Sequence, residues 1–121
     1  MSVVKFETTK IDFGQVNQSD VLDFEFPFEG NPDDIDYVAG GCPSCTQVWV
    51  EGNSVKGKLT VANTQTFRPG NNVIMKSAKV FLDPDQPEFV PDERKVRVGN
   101  DLKRIIVLNL RGNVQIEEPK K

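Results

Sequence analysis

The sequence predicts an all-β protein, an antiparallel sandwich of seven or eight strands. Three observations predict it. Apolar side chains recur at every second residue in several separate runs, and turn-forming residues divide those runs at intervals of about eight to twelve positions. No window of eleven or more residues shows the i, i+3, i+4, i+7 apolar spacing of an amphipathic helix.

The densest alternation lies in Lys5 to Phe28, KFETTKIDFGQVNQSDVLDFEFPF. Leu22, Phe24, Phe26 and Phe28 fall two apart, with Asp23, Glu25 and Pro27 between them, so an extended chain puts four large side chains on one face. A helix would scatter them, and Pro27 would break its interior. Before this strand, Val3 to Phe6 and Ile11 to Val16 read as short pieces of a bent edge strand, with turn-prone Thr8–Thr9–Lys10 between them and Gly14 free to take a conformation other residues resist. The polar turn Asn17 to Asp20 then predicts that this edge piece and the Phe-rich strand are neighbours. Glu29 to Asp34 closes the Phe-rich strand with strong turn formers.

Ile35 to Ala39 is expected as the next strand, Gly40 to Cys45 as a tight loop, and Thr46 to Val50 as a strand that turns Val48 and Trp49 to opposite faces. Glu51–Gly52–Asn53 reads as a hairpin turn. Val55, Gly57, Leu59 and Val61 alternate with Lys56, Lys58 and Thr60 in a two-faced strand over 54–62. A loop is expected over 63–72. Val73 to Leu82 follows as a strand apolar on both faces, one for the core and one free for a partner. Lys103 to Leu110 is the last strong strand, and Gly112 lets it bend before Val114 and Ile116.

The chain has 121 residues, enough for one core that hides roughly two thirds of the unfolded surface. Its net charge of −3 and pI near 5.0 give no electrostatic reason to expect nucleic acid or an anionic membrane as partner; a nucleic-acid role would need a local basic patch. No apolar run reaches the length of a bilayer span, and the start MSVVKFETTK lacks the pattern of a secretory signal. The expectation is a protein that works where it is made, in a reducing compartment that keeps its two cysteines as thiols.

Cys42 and Cys45 stand at C-x-x-C spacing, half of a tetrahedral zinc site. With no histidine and no third cysteine, a metal there would need carboxylates or a second chain. A redox pair is the other chemical reading, although no helix begins here to lower the pKa of the first thiol. The plainer reading, a tight turn whose thiols pack or lie free, is preferred, and no cofactor is expected. The lack of histidine also removes the commonest general base and the Ser-His and Cys-His nucleophilic pairs, so no catalytic residues are assigned. Asp33, Asp34 and Asp36 are read as solvated turn residues, since the alternating oxygen-ligand pattern of a calcium loop is missing. Tyr37 and Trp49 are expected to pack.

The stretch Asp83 to Asp101, DPDQPEFVPDERKVRVGND, falls where a sandwich needs only a short turn before its last strand. As a solvated loop or an extra hairpin it needs no function. As a docking arm it would use Phe89 and Val90 as anchors, with Val96 and Val98 of the alternation Lys95–Val96–Arg97–Val98 beside them as partner-binding residues.

Phe13–Gly14–Gln15–Val16 before a polar turn and a Phe-alternating strand, the cysteine loop, the strand after a glycine turn, and Leu108–Asn109–Leu110–Arg111–Gly112–Asn113–Val114 together resemble the Hydin-type, PapD-like branch of immunoglobulin domains found as small bacterial modules. The likeness covers most of the chain and rests on order and spacing. Family members carry a Cys-Gly-Cys loop where this chain has Cys42–Pro43–Ser44–Cys45, and bacterial ones usually follow a signal segment. The resemblance implies one immunoglobulin-like domain over 1–116, a flexible tail over 117–121, and a non-enzymatic structural or interaction role. Such folds recur as accessory, decorating proteins of tailed-phage capsids. That implies a major capsid protein or other virion subunit as partner, self-association as an open possibility, and a place on the virion surface after assembly in the bacterial cytoplasm. Two alternatives stand beside it: a cytoplasmic adaptor that binds a peptide by strand addition, and a thiol or zinc protein acting through Cys42 and Cys45.

Overall fold

The computed structural model describes residues 3–42, 44–84 and 90–117. Among them run nine strands: β1 (Lys5–Phe6), β2 (Lys10–Val16), β3 (Val21–Glu29), β4 (Ile35–Gly40), β5 (Thr46–Glu51), β6 (Ser54–Thr60), β7 (Gly70–Leu82), β8 (Glu93–Val98) and β9 (Asp101–Ile116). Single 3₁₀ turns occupy Pro32–Asp34 and Val61–Asn63. One sheet has the order β1-β3-β6-β5; the other has the order β2-β9-β7-β4, with β8 also paired to β9. With β1 and β2 taken as halves of one strand, and letters A to G given in chain order to all strands but β8, the sheets read A-B-E-D and A-G-F-C. That is the arrangement of an immunoglobulin-like sandwich, and β8 is an addition between its last two strands.

The Phe-rich alternation becomes β3 as expected. Phe24, Phe26 and Phe28 are buried while Val21, Asp23 and Glu25 face water. The inward residues of the other sheet, among them Ala78, Val80, Ile106, Leu108 and Leu110, close over them. A second cluster of Leu59, Val61, Ile74, Val114 and Cys45 fills the other end. Each large side chain hidden this way stabilises the fold by about 1.5–3 kcal/mol.

The expected pairing of β2 with β3 does not occur, because the first strand changes sheets. Phe6 pairs with Phe28 in one sheet, and after Thr9 the chain crosses to run parallel to β9 in the other, Ile11 opposite Leu110 and Val16 opposite Val114. The turn at Asn17–Asp20 is therefore a link between layers. Asp20 Oδ2 accepts from Asn17 N–H at 2.9 Å, and Asp20 O accepts from Val61 N–H at 3.0 Å. The β2–β9 ladder is also parallel where antiparallel pairing was expected. Its register shifts between Asp12 and Gln15, where Gly14 takes φ +68° and Asp12 Oδ1 accepts the Gly14 N–H at 2.8 Å. The irregularity sits in β2, while β9 runs unbroken through Gly112.

Strand β7 begins at Gly70, inside the loop expected over 63–72. Asn72 explains the early start: its Nδ2 donates to Arg68 O at 2.9 Å and Val114 O at 3.2 Å, tying the loop to β9. The outward face of β7 exposes Val73 and Met75.

Candidate functional site

The stretch over 83–101 is organised as a hairpin in its second half. Asp92, at φ +64°, turns the chain into β8, and β8 pairs with β9 from Glu93 opposite Ile106 to Val98 opposite Asp101. Two residues, Gly99 and Asn100, close the hairpin. Gly99 at φ +63° occupies the first central position, where a type II′ turn requires positive φ. The pairing of β7 with β9 begins only at Phe81 opposite Ile105. Asp101 to Arg104 therefore have β8 on one side and no strand on the other among the described residues, so β8 and the start of β9 extend as a two-stranded arm.

The base of the arm is pinned by charge. Arg104 Nε lies 2.5 Å from Glu93 Oε2, and Nη2 lies 3.2 Å from Oε1. Its tip is apolar and open: Val98 is 47% exposed and Leu102 60%. Strand alternation places Val96 and Val98 on one face and Leu102 on the other. Between positions 93 and 104 the sequence carries five basic and two acidic side chains, on a chain whose net charge is −3. This local basic excess was hidden by the overall acidic balance, and counting charge per segment would have found it.

Of the four residues assigned to partner binding, Val96 is half-buried and Val98 exposed, both on the arm. Val90 is not an anchor for a partner. It is 1% exposed and packs into this chain's own core, in the cluster that holds Phe28 and Ile106. Phe89 lies outside the described residues. Leu102 is an exposed apolar side chain of the arm that sequence reasoning passed over, since it stands next to a charged run with no alternation before it.

Two open grooves flank the arm's base. One, about 440 Å³, separates the ends of β2 and β8 and is lined by residues including Thr9, Lys10, Asp92, Arg94 and Asn109. Its neighbour, about 540 Å³, runs over the outer sheet face past Asp12, Met75 and Arg111. Among the described residues no three His, Cys, Asp or Glu side chains converge as metal ligands.

The cysteine loop joins β4 of one sheet to β5 of the other. Gly41 N–H donates to Ser77 O at 3.0 Å, and Cys42 O accepts from Cys45 N–H at 3.2 Å and from Thr46 N–H at 2.9 Å. Gly40 is required by close approach, since a Cβ there would stand 2.7 Å from Thr46 O. The turn buries Cys45 at 1% exposure and leaves Cys42 half-exposed. Hydrogen bonds from the Cys45 thiol and the Ser44 hydroxyl hold the Cys42 pKa below its ordinary value, and the Lys76 ammonium adds to the effect. Burial pushes the Cys45 thiol up, as does its hydrogen bond to Cys42. The lowered Cys42 pKa thus arises without the helix N-terminus that sequence reasoning required. Pro43 lies outside the described residues.

The aromatic residues expected to pack do so in part. Tyr37 stacks on Phe81 with ring centroids 4.2 Å apart and planes 12° from parallel, yet keeps one side in water, and Trp49 is partly exposed on β5. Asp33 and Asp34 sit in the 3₁₀ turn capped by Asn31, whose Oδ1 accepts from Asp33 N–H at 3.0 Å. Compared with known proteins, the chain matches no family model, no curated protein and no solved structure.

Proposed function

We propose that this chain is a non-enzymatic structural and interaction protein that docks on a protein partner through the β8–β9 arm. The observation that carries the reading is the arm's exposed tip, Val98 and Leu102, on a ribbon that leaves the sandwich. A two-stranded ribbon is marginal in water on its own, so a partner cleft that takes the tip and covers both of its faces stabilises both arm and complex. Its basic side chains favour an acidic partner surface, and such attraction weakens as salt rises.

The sequence resemblance supports a finer reading: an accessory component on the surface of a phage virion, with the major capsid protein or another virion subunit beneath the arm. Co-expression with capsid protein, nuclease treatment and sedimentation tests it. The chain is expected in the particle fraction at low salt and to leave it as salt is raised; absence from the particles at every salt concentration contradicts the virion reading. A second reading, strand addition to a partner peptide, is supported by β5, which ends its sheet and among the described residues pairs with β6 alone. Binding that is indifferent to Val98→Asp and Leu102→Asp but lost on Val48→Pro at that edge favours it.

A further inference from the structure

The Cys42–Cys45 turn joins the two layers of the sandwich and plays no part in the docking role. We propose that Cys42 and Cys45 form a dithiol–disulfide couple that exchanges with low-molecular-weight disulfides of the glutathione class, Cys42 attacking and Cys45 resolving. Three features of the turn support this division of roles.

The backbone brings the two residues close: Cys45 N–H donates to Cys42 O at 3.2 Å, and an i to i+3 bond of this kind keeps the two Cα atoms within about 7 Å, near the range of about 4.4–6.8 Å that disulfides span. Accessibility then separates the thiols. Cys42 is half-exposed, whereas Cys45 lies at 1% exposure against Leu59, Val61 and Ile74, where an external disulfide cannot reach it but its neighbour can. Polar contacts poise each sulfur: Cys42 Sγ lies 3.7 Å from Ser44 Oγ, and Cys45 Sγ lies 3.3 Å from Thr46 Oγ1 and 3.5 Å from Cys42 O. The pKa directions agree, with the exposed thiol lowered and the buried one raised.

The exchange balances in two steps. The Cys42 thiolate attacks one sulfur of RSSR, the RS–SR bond breaks, one RS⁻ departs, and a Cys42–SR mixed disulfide forms. Cys45 then loses its proton to solvent and attacks Cys42 Sγ, expelling the second RS⁻ as the intramolecular bond closes. Two electrons pass from the protein dithiol to RSSR, and two RSH result. Closure locks the crossover between β4 and β5.

The test uses the full chain, oxidised glutathione and intact-mass spectrometry. Wild type is expected to lose two hydrogens and carry no adduct. Cys45→Ala is expected to stop at a stable glutathione adduct on Cys42, and Cys42→Ser to give neither product. Iodoacetamide should label Cys42 about tenfold or more faster than Cys45 in the native wild type. A stable adduct on wild type, no reaction of wild type, or equal labelling of the two thiols would overturn the proposal. All three contradicting outcomes are read on wild-type protein, so a variant that fails to fold cannot obscure the result.

Discussion

Glu93 and Arg104 meet at the base of the arm as a two-point ion pair whose side chains are only 14% and 16% exposed. Charges this far from water are favourable only while both are present. Arg104→Met leaves a buried carboxylate behind and is expected to lower stability by about 2–4 kcal/mol. Glu93→Leu combined with Arg104→Met is expected to recover at least half of that loss. Urea denaturation of the single and double variants measures it, and additive losses would show that the pair is not coupled.

Gly57 of β6 sits between Phe24 of β3 and Val48 of β5. A Cβ there would lie 2.3 Å from Phe24 Cζ and 2.3 Å from Gln47 O, so ring and backbone would both have to move. Gly57→Ala is expected to cost about 3 kcal/mol or more by overpacking. Gly52, at φ +58° with open space around it, makes the comparison: Gly52→Ala costs about 1–2 kcal/mol, from backbone strain alone. Equal losses by calorimetry would contradict the packing account.

Strand β1 is only two residues long, yet Phe6 is buried with its ring centroid 5.3 Å from that of Phe28, and Val4 is fully buried. Phe6→Ala is expected to cost about 3 kcal/mol, near the lower end for a buried aromatic because the site lies at a sheet edge. A loss within the scatter of surface substitutions would mean that the first half of the split strand does not hold the sheet.

The two thiols give opposite pH signatures around their ordinary value of 9.0. Folding favours the thiolate of Cys42, so its contribution to stability is present above the unfolded pKa and fades as pH falls through the lowered folded value. For Cys45 folding favours the neutral thiol, and that contribution fades as pH rises through the raised value. The alkylation rate of Cys42 against pH is therefore expected to be displaced to lower pH than that of a free cysteine. A curve that overlays the free thiol's would contradict the contacts described.

Faces were legible in the sequence and neighbours were not. Alternation at Phe24, Phe26 and Phe28 reports which side is buried, because period two leaves no other choice, and β3 follows it. The same alternation carries no information about which strand lies alongside. A polar turn such as Asn17–Asp20 can close a hairpin or carry the chain across the sandwich, so the passage of β2 to the far sheet and its parallel ladder with β9 went unseen. Gly14 was recognisable as a place of unusual backbone, and it is the site of the register shift. In the arm, Lys95 to Val98 showed its strand period, but Val90 and Val98 look alike in sequence, and only the fold sends one to the core and the other to water.

The charge on the arm gives a further test of docking. Arg97→Glu with Lys103→Glu alters side chains on the ribbon surface and is expected to change stability by less than about 0.5 kcal/mol. Particle binding should fall at least about tenfold at low salt and lose most of its salt dependence. Unchanged binding would remove charge from the account.

Amide hydrogen exchange of the chain, free and bound to assembled particles, tests the docking claim most directly. Docking through the arm predicts slowed exchange concentrated in residues 96–102, at its tip, with the core strands unchanged. Slowing confined to the β5 edge, with the arm exchanging as fast as in the free protein, would contradict it.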